Sequence, residues 1–119
     1  MIRLVPLLLC LACAAPSWRV VGGTPAQVAD SHAILDASPP LPLDGFIEIV
    51  APGTLDGECA PLPLHVTGCA WVNGVSVTAT PSQAMASTAL AHELCHLSGA
   101  ASETAANDCA TLTLARAFP

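Results

Sequence analysis

Three observations predict a small α+β domain. Short runs with strand character occupy the middle of the chain, two capped and alanine-rich helical stretches close it, and its 119 residues suffice for one core. The sheet is expected to be small, antiparallel or mixed. One helix sets polar side chains among alanine and leucine, and a C-terminal helix is expected to support it. Removal of an N-terminal leader would leave roughly 105 residues, the size of a single thin-cored domain.

Met1-Ile2-Arg3 is a short positive start, and Leu4 to Leu11 is an apolar run too short to span a bilayer. Ala12-Cys13-Ala14 fits small-residue cleavage, so residues 1–15 read as a signal peptide. Cys13 opens a second reading, a lipid-modified cysteine of lipoprotein type. Either way the mature chain is expected outside the cytoplasm: secreted, periplasmic or lipid-anchored at the cell envelope.

Residues 16–44 read as an N-terminal helix and a proline-rich arm. Residues 16–23 look like an irregular lead-in. Thr24-Pro25-Ala26-Gln27 places a hydroxyl at the N-cap, proline at the first helical position and glutamine at N3, predicting a helix to about Ala37. Ser38-Pro39-Pro40-Leu41-Pro42 is an extended arm.

Residues 45–119 read as the main folded domain. Phe46-Ile47-Glu48-Ile49-Val50 is a strand, and residues 51–65 are loop. Cys69-Ala70-Trp71-Val72 and Val75-Ser76-Val77-Thr78 are strands joined by the hairpin signal Asn73-Gly74. The last of these strands is a candidate edge for adding an extended substrate. Thr80-Pro81-Ser82-Gln83 caps a helix running to Leu97, and Gly99 stops it. Ser102 can cap a final helix that opens at Glu103.

The chain carries nine carboxylates and no lysine, for a formal net charge of −6. Without Arg3 only Arg19 and Arg116 remain, and the net charge is about −7. Nucleic acid needs a basic footprint, so it is excluded as a partner. Membrane contact is expected only through a lipid anchor at Cys13, and the oligomeric state is left open. After the leader four cysteines remain, and in an exported small domain they suggest two disulfides. Of three connectivities, Cys59–Cys69 closes a loop, and Cys95–Cys109 ties the two last helices together.

The chemistry sits in His92-Glu93-Leu94-Cys95-His96, an H-E-x-x-H sequence. Residues four apart share one helix face, so His92 and His96 can hold one Zn²⁺ from the same side. Glu93 projects beside them as a candidate general base. A catalytic zinc usually takes three protein ligands. Glu103 is the best third ligand, with Asp108, His65 and His32 as alternatives. Asn107, four residues after Glu103, is placed to orient an imidazole, and Asp108 is a second candidate for that role. Cys95 points about 100° away from its neighbours and so to the back of the site.

With a downstream glutamate, this sequence resembles the gluzincin zinc metallopeptidases, and Glu103-Thr104-Ala105-Ala106-Asn107-Asp108-Cys109-Ala110 is similar to the E-x-x-A-N-x-F-A stretch of ImmA/IrrE-type peptidases, with Cys109 in place of Phe. The resemblance spans residues 80–112 and implies a minimal zincin-like fold with Glu103 as ligand. The step from His96 to Glu103 is short for a gluzincin and closer to the metzincin turn at glycine, but Ser102 stands where that pattern has its third ligand. The function expected is peptide-bond hydrolysis by a zinc-activated water with Glu93 as general base, on a peptide or protein substrate. Such enzymes often stabilise the oxyanion with Tyr or His. There is no Tyr, and His65 is the candidate. The alternative is a non-catalytic zinc-binding or disulfide-stapled exported interaction domain.

Overall fold

The computed structural model describes residues 17–50, 68–71, 74–78 and 83–119. The expected leader with Cys13, the expected loop with Cys59 and His65, the expected Cys59–Cys69 pairing and the expected cap at Thr80-Pro81 lie outside the described residues.

The elements run β1 (Trp18–Val21), α1 (Pro25–Ala37), β2 (Gly45–Val50), β3 (Gly68–Trp71), β4 (Gly74–Thr78), α2 (Gln83–Leu97) and α3 (Glu103–Ala117). The result is a mixed α+β architecture. Among the described residues four strands form one sheet in the order β1-β2-β4-β3. β1 is parallel to β2, β2 is parallel to β4, and β3 is antiparallel to β4. The hairpin expected around Asn73-Gly74 is therefore present as the β3–β4 pair, with Trp71 opposite Gly74.

Two expectations are corrected. Residues 18–21 are a strand, not an irregular lead-in. Trp18 and Val20 pack on the core while Arg19 and Val21 stay exposed, the alternation of a half-buried strand. The Trp18 indole N–H also donates to the Leu43 carbonyl at 2.9 Å, and Ser17 N–H donates to Asp44. Four residues of strand pattern are too few to be read without their partner. Second, β4 is not an edge, because β2 and β3 pair with it on either side. The outer strands are β1 and β3.

Gly22 and Gly23 end β1 with φ of 80° and 82°. A Cβ at Gly22 would lie 2.6 Å from the Ile49 carbonyl oxygen, so the chain turns there only because glycine does. α1 then begins on the expected capping box, with Thr24 Oγ1 accepting from Gln27 N–H and Gln27 Oε1 accepting from Thr24 N–H.

The core lies between β2 and the helices. Ile47 and Ile49 meet Ile34 of α1, Leu90, Ala91, Leu94 and Cys95 of α2, and Ala106 and Ala110 of α3. Leu90 and Leu94 are 2% and 0% exposed, and burial of each contributes about 1.5–3 kcal/mol. Arg116 at the end of α3 donates twice to the Ala37 carbonyl, tying α3 to the last turn of α1. Among the described residues no helix is long and apolar enough to cross a membrane.

Candidate metal centre

Local sequence delivers the site. In α2 the apolar stripe of Leu90, Ala91, Leu94 and Cys95 faces the core, so His92 and His96 fall on its flank, half-buried. The helix then closes with a Schellman-type glycine stop. Gly99 has φ of 124°, its N–H donates to His96 O at 3.1 Å, and Ala100 N–H donates to Cys95 O at 3.0 Å. Three residues later Ser102 caps α3 by accepting from Ala105 N–H at 3.1 Å. The chain has reversed in five residues, and Glu103 opens α3 beside His96.

Close packing does the rest. α2 and α3 meet through Ala91, Ala106 and Ala110, and the disulfide Cys95–Cys109 joins them with its Cα atoms 6.0 Å apart. Small residues let the backbones approach so nearly. This bond is the pairing expected from sequence, and it sits at the back of the site because Cys95 is fully buried.

His92, His96 and Glu103 converge. His92 Nε2 lies 3.1 Å from His96 Nε2 and 2.9 Å from Glu103 Oε2, and His96 Nε2 lies 2.9 Å from Glu103 Oε1. The other ring nitrogens are already engaged. His92 Nδ1 is 2.8 Å from Asn107 Oδ1, and His96 Nδ1 is 2.9 Å from the Ala100 carbonyl. Both partners are acceptors, so each Nδ1 carries a proton and donates it. Each Nε2 therefore turns a lone pair toward the same point as a carboxylate. Three acceptors so placed repel one another unless a cation, proton or metal ion, lies between them.

The arrangement fits a metal of zinc's size. Tetrahedral coordination with bonds of 2.0–2.1 Å spaces ligands about 3.3 Å apart, a few tenths of an ångström wider than here. Two imidazoles and one carboxylate are a donor set suited to zinc and leave one position for water or substrate. The cluster itself is open to solvent on the Glu103 side, since this side chain is 78% exposed against 17% and 24% for the imidazoles.

Glu93 stands next to this focus without belonging to it. Burial raises its pKa above the usual carboxylate value. The charges of His92 and His96 pull the other way, and Glu103 adds to the rise. The His96 pKa is also raised. Burial, the largest influence, opposes its charge, but the Ala100 carbonyl, Glu103 and Glu93 together outweigh it.

The structure thus brings together His92, His96 and Glu103, sets Asn107 on His92 and places Glu93 alongside. It leaves Asp108 exposed and outside the cluster, and His32 exposed on α1. Sequence reasoning missed the Ala100 carbonyl. A backbone group has no residue signature, and only the glycine stop at position 99 pointed to a turn that could aim it. Comparison with protein-family profiles, with curated proteins and with solved structures finds no match to this chain.

Proposed function

We propose that this chain is an exported, zinc-dependent metallopeptidase of minimal zincin type. One observation carries the reading: two Nε2 lone pairs and a carboxylate meet at one point while both Nδ1 protons are spent elsewhere. The leader pattern and the Cys95–Cys109 bond support an oxidising compartment outside the cytoplasm, with or without a lipid at Cys13.

Bound zinc would supply Lewis acidity, polarising a carbonyl and lowering the pKa of water to about 7. The chain's own residues do the remainder. Asn107 and the Ala100 carbonyl hold the imidazoles in the metal-binding tautomer. Glu93, with its raised pKa, takes a proton from the attacking water and returns it to the leaving amine. An extended peptide would pair with β3, the outer strand against which α2 packs.

A second reading rests on the absence of Tyr from the sequence: a zinc-binding interaction domain without hydrolytic activity. One experiment separates them. Purified chain is assayed for zinc content and for peptide hydrolysis with and without chelator. One equivalent of zinc with chelator-sensitive hydrolysis supports the peptidase. Zinc without hydrolysis of any member of a peptide library selects the interaction domain, and no zinc removes both.

A further inference from the structure

We propose that the Cys95–Cys109 disulfide is a redox control on the metal centre, so that the oxidised chain holds its metal tightly and the reduced chain loosely. The inference rests on His92, His96 and Glu103 forming a metal site, and adds to that reading how the site is regulated.

The ligand set is divided between two helices. α2 supplies His92 and His96, whereas α3 supplies Glu103 together with Asn107, which orients His92. Metal affinity therefore depends on how α3 is turned relative to α2. Glu103 and Asn107 are four residues apart and share one flank of α3. Cys109 lies two residues beyond Asn107, about 200° round the helix. The metal ligands and the disulfide thus join the same helix pair along two different flanks.

The noncovalent contacts resist rotation weakly. Of the buried α3 residues, Ala106 and Ala110 are small and offer little to interlock, and Thr113 meets α2 at Cys95 Sγ, 3.8 Å away and itself half of the disulfide. The turn at residues 98–102 fixes the near end of α3, and at the far end Arg116 ties it to α1, not to α2, through exposed hydrogen bonds. Among the described residues the disulfide is the one covalent tie beyond that turn. Cutting it allows α3 to roll, which carries Glu103 off the focus and Asn107 off His92.

The chemistry balances simply. Two electrons and two protons convert the disulfide to two thiols. A dithiol donor is oxidised to its own disulfide, and a phosphine donor becomes a phosphine oxide with oxygen from water. Glu103 is displaced here, not removed, and its long side chain can still reach the metal, so the loss expected is that of misplaced orienting partners, about 10–100-fold in affinity. Linkage is reciprocal, so bound metal must protect the disulfide by the same factor. For a two-electron couple this lowers the reduction potential by about 30–60 mV.

The test uses Zn²⁺ alone. Its affinity is measured by competition with a chromophoric chelator for the oxidised chain, for the chain reduced by a phosphine, and for the double variant C95A/C109A. The phosphine avoids added thiols that would bind zinc. The variant separates this bond from the other cysteines. The reciprocal arm follows disulfide reduction in a glutathione buffer at clamped free Zn²⁺, in the wild type and in His92→Ala.

We expect one equivalent of zinc in the oxidised chain and 10–100-fold weaker binding in the reduced chain and the double variant. Zinc should shift the reduction equilibrium in the wild type and not in His92→Ala. Affinities within twofold across all three forms, or no shift with zinc, would overturn the redox control while leaving the metal centre standing. No zinc in the oxidised chain would overturn the centre and the control together. If reduction unfolds the chain, the reciprocal shift still decides, because it is read from the equilibrium.

Discussion

Three substitutions on one helix should separate three roles. In Glu103→Ala the lost group is a carboxylate whose two oxygens each lie 2.9 Å from an imidazole Nε2. Structural zinc sites bind with about 10–16 kcal/mol over four coordination bonds, roughly 2.5–4 kcal/mol for each. Losing one ligand should therefore weaken zinc on the order of 10²–10³-fold. In Asn107→Ala the metal keeps its ligands, but His92 Nδ1 loses its acceptor at 2.8 Å. Orienting partners are worth 10–100-fold, and because Asn107 is exposed, water can replace it, so the lower end, about tenfold, is expected. Asp108 is exposed and outside the cluster, so Asp108→Ala should leave affinity within about twofold, the level of an ordinary surface substitution. Competition titration of all three against one chelator supplies the ranking. An Asp108 variant weaker than the Glu103 variant would mean that the chain uses the longer spacing, and the geometry argued from Glu103 would fall.

Other outcomes follow from the same contacts. Glu93→Gln should retain one zinc and lose hydrolysis by at least the 10²–10⁴-fold that a general base contributes, and retained turnover would remove Glu93 from the chemistry. Leu94 is fully buried among α2, α3 and β2, so Leu94→Ala should cost about 2–5 kcal/mol in denaturant unfolding. Arg116→Ala should cost far less, within about 1 kcal/mol, since its bonds to the Ala37 carbonyl are exposed.

The helix of the site was legible because each local signal agreed with the next. The i, i+4 histidines, the glycine stop at Gly99 and the cap at Ser102 are all short-range features, and short-range geometry is what a sequence states directly. Asn107 and the Cys95–Cys109 bond followed once α3 was folded back on α2, because a five-residue reversal leaves two helices little freedom. The sheet was less legible. The alternation of Trp18 to Val21 says that one face is buried, not that β2 lies alongside in parallel. In the same way, Val75 to Thr78 reads identically in an edge strand or an inner one, and pairing with β2 is a long-range event.

The two pKa shifts make opposite demands on the chain with and without metal, and stability against pH exposes them. Glu93 has a raised pKa in the folded chain, so folding binds its proton more tightly. That contribution is complete below the ordinary carboxylate value and is lost as pH rises through the folded one. His96 is also raised, so its contribution is complete below the ordinary imidazole value, about 6.5, and is lost above the folded value. Both shifts act in one direction, and chelator-treated protein should lose stability as pH rises from mildly acidic through neutral. Zinc reverses the sign, because it binds the deprotonated imidazoles and must displace the proton of His96. The zinc-loaded chain should therefore gain stability over the same range, and the gap between the two melting temperatures should widen with pH. Thermal unfolding with zinc and with chelator across that range measures both curves. Parallel curves would show that the metal does not compete with the proton of His96, and that the ligands lie elsewhere.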